Sequence, residues 1–365
     1  MKVINFLPLV ILKQPFGLLP MYFNLLAPFI GGVYFFKNKK INKDFIPLFC
    51  MVVIGLISVL NLPDYSRFIS ILRLTQLVLF FFFSMWLCTE FKSEDPIVLC
   101  KLIFYLILIV FFIEIIFIGN HGYRNFFGIS LPRYRGVVGE PNFTALLLLG
   151  LSLIFLFYKC YMYAFLASVL IFLTANRSSF LSLFLFIALF FCYNKINKKL
   201  SFFMVMLCLV TIFIYPFILL FIDQYLSLDT QIFLNRISSL RYYLHLYYTD
   251  VGIKNWMFGV GYFNGKSFIT IQELVSYGLI DKDVKLEQHN TFLQIFSEFG
   301  IFGYALFCMF FVNILKKSLA IDYSLFLSFS CFLFSLLFVN ALHEPILYIY
   351  ISLILSKCHL LSLKK

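Results

Sequence analysis

One histidine lies where a charged segment gives way to an apolar one, in the stretch EQHNTFLQIFSEFGIFGY of residues 287–304. His289 can accept a proton near neutral pH, because the ordinary pKa of imidazole is ~6.5. Asn290 follows it, and Gly300 and Gly303 lie further along the apolar part. This pattern predicts a proton acceptor at an apolar border. The alternative is a plain helix start, because Asn290 is also a good helix cap.

A pair of arginines precedes a predicted helix start in RYRGVVGEPN. Arg133 and Arg135 come first, and Pro141 and Asn142 end the stretch. A guanidinium binds phosphate or carboxylate through two parallel hydrogen bonds, which lysine cannot reproduce. We therefore predict that Arg133, Arg135 and Asn142 bind an anionic substrate. A capped helix after a glycine turn explains the Pro-Asn pair alone, but not the two arginines.

Two further arginines occur beside helix starts or glycine turns. Arg177 follows a tight turn in TANRSS, and Arg241 opens a tyrosine-rich segment that precedes GVGYFNG. Tyr248 falls on the same helical face as Arg241, and Gly261 lies in the glycine turn. An arginine at either position can bind an anion, and a tyrosine ring such as that of Tyr248 can pack on a sugar. The alternatives are an arginine that anchors in lipid headgroups and tyrosines of an interfacial belt.

The elements that position these residues are membrane helices. The chain has 365 residues, of which 62% are hydrophobic and 13% are charged, whereas a soluble domain has about 25% charged residues. Its mean hydropathy is +0.96. Apolar runs long enough to cross a ~30 Å hydrocarbon core recur throughout the sequence. The predicted fold class is an all-α polytopic membrane protein, and no nucleic-acid partner is expected.

Eleven apolar runs are predicted to span the membrane, with residues 3–16 as a short or interfacial twelfth. They lie near 17–36, 45–60, 67–89, 97–118, 141–158, 161–175, 178–193, 200–222, 291–315, 321–340 and 345–361. We predict an N-terminal bundle at 1–222 with an external loop at 119–140, a large and partly helical external loop at 223–290, and C-terminal helices at 291–365.

Lysine and arginine are divided between the two sides of this topology. Alternation through the spans puts the lysine-rich breaks, such as KNKKINK at 37–43, on the cytoplasmic side, as the positive-inside tendency requires. No arginine occurs in those breaks. We interpret the arginines as an anion site outside the bilayer. The alternative is that long external loops escape the charge bias.

The nine cysteines show neither CxxC nor Cys/His spacing, so the sequence predicts no metal site and no disulfide framework. No cofactor is expected.

Taken together, these stretches resemble the O-antigen polymerase and O-antigen ligase superfamily of bacterial surface-polysaccharide assembly. The most specific likeness is His289-Asn290, nine residues, Gly300, two residues and Gly303. Tyr304 comes next, where the ligases have a small residue, and this departs from their pattern.

Three other stretches carry the resemblance, which extends over about residues 120–305. RYRGVVGEPN is similar to the Arg-x-x-Gly…Pro-Asn segment of the polymerase branch. TANRSS resembles a Thr-x-Ser-Arg turn in which Asn176 replaces the serine, and NWMFGVG with the upstream Arg241 resembles an Arg…Gly-x-Gly segment.

The resemblance implies an enzyme of the bacterial inner membrane whose active site faces the periplasm and whose substrates are oligosaccharides on undecaprenyl pyrophosphate. It also implies that Arg177 and Arg241 are catalytic and stabilise the leaving pyrophosphate without a metal, and that Tyr248 and Gly261 bind substrate. His289 would take the proton of the acceptor hydroxyl, and the anomeric carbon would invert.

The polymerase branch is favoured, with O-antigen or capsular repeat units as substrate. The alternative is an O-antigen ligase that passes the glycan to lipid A core. A flippase or other transporter ranks third, since transporters place charges near the bilayer midplane and use broken helices. Membrane lipids are expected partners, and a chain-length regulator protein is a further candidate.

Overall fold

The computed structural model describes residues 7–13, 15, 23–38, 41–60, 62, 64–93, 96–126, 129–225, 241–265 and 290–362. Within these ranges the chain forms thirteen α-helices. They are α1 Leu7–Val10, α2 Leu26–Asn38, α3 Ile46–Val59, α4 Asp64–Ser93, α5 Pro96–Ile113, α6 Pro141–Phe157, α7 Tyr161–Leu173, α8 Arg177–Phe191, α9 Lys198–Tyr225, α10 Arg241–Lys254, α11 Thr291–Ile321, α12 Tyr323–Ser335 and α13 Pro345–Ser362.

Shorter elements extend or join these helices. Short 3₁₀ helices at Phe23–Leu25 and Lys43–Phe45 precede α2 and α3, and π-helical turns at Glu114–Ile118 and Cys192–Ile196 extend α5 and α8. One antiparallel hairpin, β1 Tyr123–Phe126 with β2 Ile129–Pro132, lies inside the predicted loop 119–140. The hairpin was not predicted, because its strands are only four residues long.

The predicted all-α polytopic membrane fold is confirmed. Among the described residues, five helices are long and apolar enough to cross a membrane, and four apolar helices are shorter. The five are Ser66–Phe91, Pro96–Ile118, Arg177–Ile196, Lys198–Ile218 and Thr291–Ile321. Each predicted run from 45–60 onwards overlaps one observed helix. The division into three regions stays a prediction, since parts of 223–290 lie outside the described residues.

The connections between helices gather at two ends of the bundle. We call one end the lysine face, defined by the connections at 41–45, 158–160, 192–197 and 316–322. Lys317 forms an ion pair with Asp44 there, and Tyr193 stacks on Tyr323 with ring centroids 3.9 Å apart. The other end is the arginine face, defined by the connections at 60–62, 114–140, 174–176, 255–265 and 336–344. Arginine side chains that the structure describes lie at or near this face: Arg67, Arg73, Arg133, Arg135 and Arg177.

Helix α11 is interrupted at Gly300. The backbone of Gly300 has φ +66° and ψ −169°, which is outside the helical range. The N–H of Ile301 donates to the carbonyl of Trp256 at 2.6 Å instead of to the preceding turn of its own helix. The segment after α10 therefore packs directly against the break.

The carbonyls that the break frees are satisfied by the same segment. Val260 N–H donates to Ser297 O at 3.0 Å, and Gly261 N–H donates to Glu298 O at 3.1 Å. Unpaired backbone groups are costly in a membrane, so this pairing is a condition for the break. It explains why glycines occur on both sides of the contact, since a Cβ at Gly259 would lie 2.4 Å from the Glu298 carbonyl carbon.

We predict that Gly259→Ala and Gly300→Ala each lower the melting temperature of the protein in detergent. Both glycines have left-handed φ, which costs other residues about 1–2 kcal/mol, and a Cβ at Gly300 would lie 2.4 Å from the Met257 backbone. Gly32→Ala is the control, because its Cβ would meet only Leu79 Cδ2 at 3.6 Å. Equal melting temperatures for all three variants would contradict a glycine-dependent contact at the break.

Candidate functional site

Asn142 joins the first two arginine stretches. Its Oδ1 accepts a hydrogen bond from Arg133 Nη2 at 3.2 Å and another from Asn176 Nδ2 at 2.7 Å. Its Nδ2 donates to Glu140 Oε1 at 3.2 Å. Asn142 and Asn176 are buried, so these contacts fix the start of α6 against the turn before α8. Two stretches that lie more than thirty residues apart in the sequence thus meet on the arginine face.

Asn176 also sets the position of Arg177. The Asn176 Oδ1 accepts hydrogen bonds from Ser179 N and Ser178 Oγ, both at 2.8 Å, and so caps α8. Arg177 is therefore the first helical residue, and its side chain is exposed. The start of a helix favours anions through its free N–H groups, and the guanidinium adds a full positive charge there.

Glu114 holds the turn that carries Arg133 and Arg135. Its fully buried carboxylate accepts the backbone N–H groups of Arg135 at 2.7 Å and Gly136 at 2.8 Å, and His121 Nε2 lies 3.2 Å from Oε1. Glu114 begins the π-helical turn after α5, and such turns are frequent at functional sites. The sequence analysis missed this residue, although a lone carboxylate at the end of an apolar run was an available signal.

A second polar cluster surrounds His343 on the same face. The Tyr262 hydroxyl lies 3.1 Å from His343 Nδ1, and the Arg73 guanidinium lies 4.6 Å from the ring centroid of Phe263. Burial, with the charges of Arg73 and Lys13 as smaller contributions, lowers the pKa of His343 to about 3. The imidazole of His343 is therefore neutral at physiological pH.

Lys13 and Glu344 connect this cluster to the arginine stretches. Lys13 Nζ lies 2.6 Å from Glu344 Oε1, and Glu344 is buried. Burial raises the pKa of Glu344, the Lys13 ammonium opposes that rise, and the charge of Glu140 adds to it. Since Glu140 also contacts Asn142, the two clusters adjoin and form one polar region.

The beginning of α11 is anchored beside the same cluster. His289 lies outside the described residues, and Asn290 is the first residue described after it. The Asn290 Oδ1 accepts the Leu293 N–H at 3.0 Å, which is the helix-cap arrangement. Thr291 Oγ1 donates to Val339 O at 2.7 Å, and this contact fixes the start of α11 on the connection that carries His343.

The remaining predicted residues belong to α10 and to the segment after it. The Arg241 backbone opens α10, and its side chain lies outside the described part. Tyr248 is buried on the α10 side of the molecule, where its ring would meet a Cβ on Gly265 at 2.7 Å. The N–H of Gly261 is used by Glu298. Both residues thus have packing contacts, and substrate binding by either one stays a prediction.

Within the described ranges, no group of three His, Cys, Asp or Glu side chains is arranged to hold a metal ion. The described part of the site contains guanidinium, amide, imidazole, carboxylate, ammonium and hydroxyl groups.

The comparison with protein families agrees with the motifs. Residues 162–308 match the family described as O-antigen ligase, a segment that runs from α7 into α11 and includes Arg177, Arg241 and the break at Gly300. Arg133 and Asn142 precede this segment. No curated protein matches the chain. The match confirms the predicted resemblance: through residues 162–308, this chain is similar to the O-antigen ligase and polymerase superfamily.

Proposed function

We propose that the protein is a polysaccharide polymerase that transfers a lipid-linked glycan from polyprenyl pyrophosphate to a new lipid-linked repeat unit. The family's members are glycosyltransferase-like enzymes, and the finer assignment is our own. The observation that carries the proposal is the pair of hydrogen bonds that Asn142 accepts from Arg133 and Asn176. It supports an anion site just outside the bilayer, because Asn142 contacts both Arg133 and Asn176, the cap of the helix that begins with Arg177.

In the proposed reaction, the acceptor hydroxyl oxygen attacks the anomeric carbon of the donor glycan. The bond from that carbon to the pyrophosphate oxygen breaks, and the pyrophosphate leaves with the electron pair. Arg133, Arg177 and Arg241 stabilise the charge that develops on it. His289 takes the hydroxyl proton. A single displacement of this kind inverts the anomeric carbon.

The other predicted residues would bind the sugars or the pyrophosphate. Arg135 adds a second cation on the turn held by Glu114, and Asn142 orients Arg133. Asn290, Tyr248 and Gly261 are proposed to line the sugar side. The proposed orientation puts the arginine face in the periplasm, which agrees with the lysine-rich opposite face. A chain-length regulator is a candidate partner.

A ligase that passes the glycan to lipid A core is the alternative within the same family. Tyr304 favours the polymerase, because it stands where the ligases have a small residue. Its hydroxyl donates to Phe213 O at 2.7 Å, so the side chain has a packing role in this chain.

A transporter is less well supported. The break in α11 is a feature that transporters share. Here, however, the freed carbonyls of Ser297 and Glu298 accept N–H groups of the chain itself.

The experiment that separates these functions is deletion and complementation of the gene, with the surface polysaccharide resolved on a gel. Loss of a polymerase collapses the ladder to one repeat unit on lipid A. Loss of a ligase removes the glycan from lipid A while long chains persist on the carrier lipid. Loss of a transporter leaves no repeat unit on the outer face.

We expect Arg133→Lys, Arg177→Lys and Arg241→Lys each to reduce the product sharply while the protein remains in the membrane. Lysine keeps the charge but loses the two parallel hydrogen bonds to phosphate. Ladders are compared at equal protein level on immunoblots. Wild-type ladders from all three lysine variants would reject pyrophosphate binding by these arginines and would indicate that they only anchor in lipid headgroups.

His289→Ala should lower transfer by about 10²–10⁴-fold, the usual worth of general-base catalysis, and the lipid-linked repeat unit should accumulate. His343→Gln is the control, because glutamine can still hydrogen-bond to Tyr262, and this variant should lose much less transfer activity.

Transfer by the wild-type protein should also fall on the acid side of the pH profile, where a protonated His289 can no longer accept the hydroxyl proton. An acid limb near neutrality cannot come from His343, whose pKa is about 3. Wild-type activity of His289→Ala would show that His289 only begins a helix.

Transfer by purified protein in nanodiscs should be insensitive to EDTA, since guanidinium groups carry the leaving-group charge in this proposal. Product formation is measured with and without the chelator. If activity disappears with EDTA and returns with a divalent ion, a metal ion and not the arginines alone must stabilise the charge of the leaving group.

A further inference from the structure

Arg73 is an arginine inside a membrane span. It lies seven residues from the end of the span Ser66–Phe91 that meets the arginine face, about 10 Å along the helix axis. Its Nη1 donates to Gln76 Oε1 at 2.9 Å, and among the described residues it forms no ion pair. Arg73 lies outside the motifs and outside the matched segment 162–308. A charged side chain within a span is by default a candidate for a functional site.

Arg73 lies on a side of α4 that faces the protein. Residues seven apart share a helix face, and Phe80, seven residues after Arg73, is buried with its ring stacked on Tyr348 of α13 at 4.9 Å. The exposed apolar side of α4 is a different one, marked by Phe68 and Leu72, which are 67% and 58% exposed. An arginine that only anchors in lipid headgroups is expected on that exposed side. The position of Arg73 therefore favours a ligand within the protein.

The connection after α10 holds the Arg73 guanidinium at the arginine face. Ser70, one turn before Arg73, donates from Oγ to Tyr262 O at 2.6 Å, and the guanidinium carbon lies 4.6 Å from the Phe263 ring centroid. Phe263 has φ +64°, a left-handed conformation that is rare for a bulky residue. Strain of this kind persists only where the surroundings enforce it, and it is concentrated at ligand sites. The strained ring that supports Arg73 therefore favours a binding role.

Aromatic rings surround this guanidinium. The His343 imidazole meets the Phe263 ring at an interplanar angle of 89° with centroids 5.1 Å apart, and it stacks on Tyr262 at 5.2 Å. Arg73 and Phe263 are both partly exposed, so a ligand can reach them. An aromatic ring next to a guanidinium can pack on the apolar face of a sugar while the guanidinium binds a charged substituent.

The charges of the cluster indicate which anion fits. The imidazole of His343 is neutral at physiological pH, and Lys13 is paired with Glu344. Arg73 is thus the cation of this cluster that has no carboxylate partner among the described residues. A single guanidinium balances one negative charge, and its planar fork matches a carboxylate through two parallel hydrogen bonds. A pyrophosphate carries more charge than one guanidinium balances.

We propose that Arg73 binds the carboxylate of an acidic sugar in the glycan, with the sugar ring packed beside Phe263. The inference rests on the proposed function and adds the class of its substrate, a repeat unit that contains a uronic acid or another carboxylated sugar. A repeat unit without a carboxylate would leave the guanidinium without its counter-ion, and an unpaired polar group of this kind is what rejects a wrong substrate. Arg73 is then a specificity-determining residue.

The test compares two forms of the repeat-unit oligosaccharide, prepared by partial hydrolysis of the polysaccharide from the bacterium that carries the gene. One form is native, and in the other each carboxylate is reduced to a hydroxymethyl group. Binding to the full chain in nanodiscs is measured by saturation-transfer NMR. The wild-type protein should bind the native form about 10–100-fold more tightly, as expected for hydrogen bonds between charged groups. Equal binding of the two forms, absence of binding, or a repeat unit without a carboxylate would overturn the proposal.

Arg73→Gln should lower the affinity for the native form to that for the reduced form, and the reduced form should bind as it does to wild type. If Arg73 has only a structural role, the variant will keep the wild-type ratio between the two forms, and this result would overturn the proposal.

Thr75→Val is the matched control. Thr75 lies two residues away on the exposed side of α4, and its Oγ1 donates to Ile71 O within the same helix, so this variant should keep the wild-type preference. Glycosyl transfer is measured separately on the same proteins. A carboxylate preference that depends on Arg73, in a protein that transfers no glycan, would support the sugar site and reject the proposed function.

Discussion

A helix inside a bilayer can break only where other groups satisfy the backbone hydrogen bonds that it loses. In this chain the loss occurs at Gly300, and the segment from Trp256 to Gly261 repairs it through three backbone hydrogen bonds. The repair requires close approach of two backbones, which explains the glycines at 259 and 300. The residues before and after the break are therefore fixed relative to one another, although they come from distant parts of the sequence.

The arrangement of the arginine face follows from this constraint. The repaired segment continues into Tyr262, whose hydroxyl contacts His343, and the connection that carries His343 also receives the beginning of α11. Glu344 in the same connection pairs with Lys13 and feels the charge of Glu140, which in turn contacts Asn142. Side chains from five separate connections thus form a continuous polar region above a mostly apolar bundle. In a low-dielectric surrounding, such fixed dipoles and charges are well suited to stabilising a leaving pyrophosphate.

The sequence was sufficient for the parts that depend on local pattern. Apolar runs predicted the helices closely, because length and hydropathy decide whether a segment spans lipid. Spacing also predicted Arg133, Asn142 and Arg177 as site residues, and in the structure Asn142 contacts both Arg133 and Asn176, the residue before Arg177. It gave no partners for Glu114 or Lys13, since these residues contact groups that lie 21 and 331 positions away in the sequence. Spacing predicted that Gly261 binds substrate; its N–H donates to Glu298 O in the structure, and substrate binding by this residue stays a prediction.

The central claim is that the carrier pyrophosphate binds at the arginine face. The most direct measurement is a cryo-EM structure of the protein in nanodiscs with a polyprenyl pyrophosphate bound. The account predicts density for the two phosphates within hydrogen-bonding distance of Arg133 and Arg177, next to the beginning of α11. Phosphate density on the lysine face instead, in the cavity lined by Asp44 and Lys317, would contradict it.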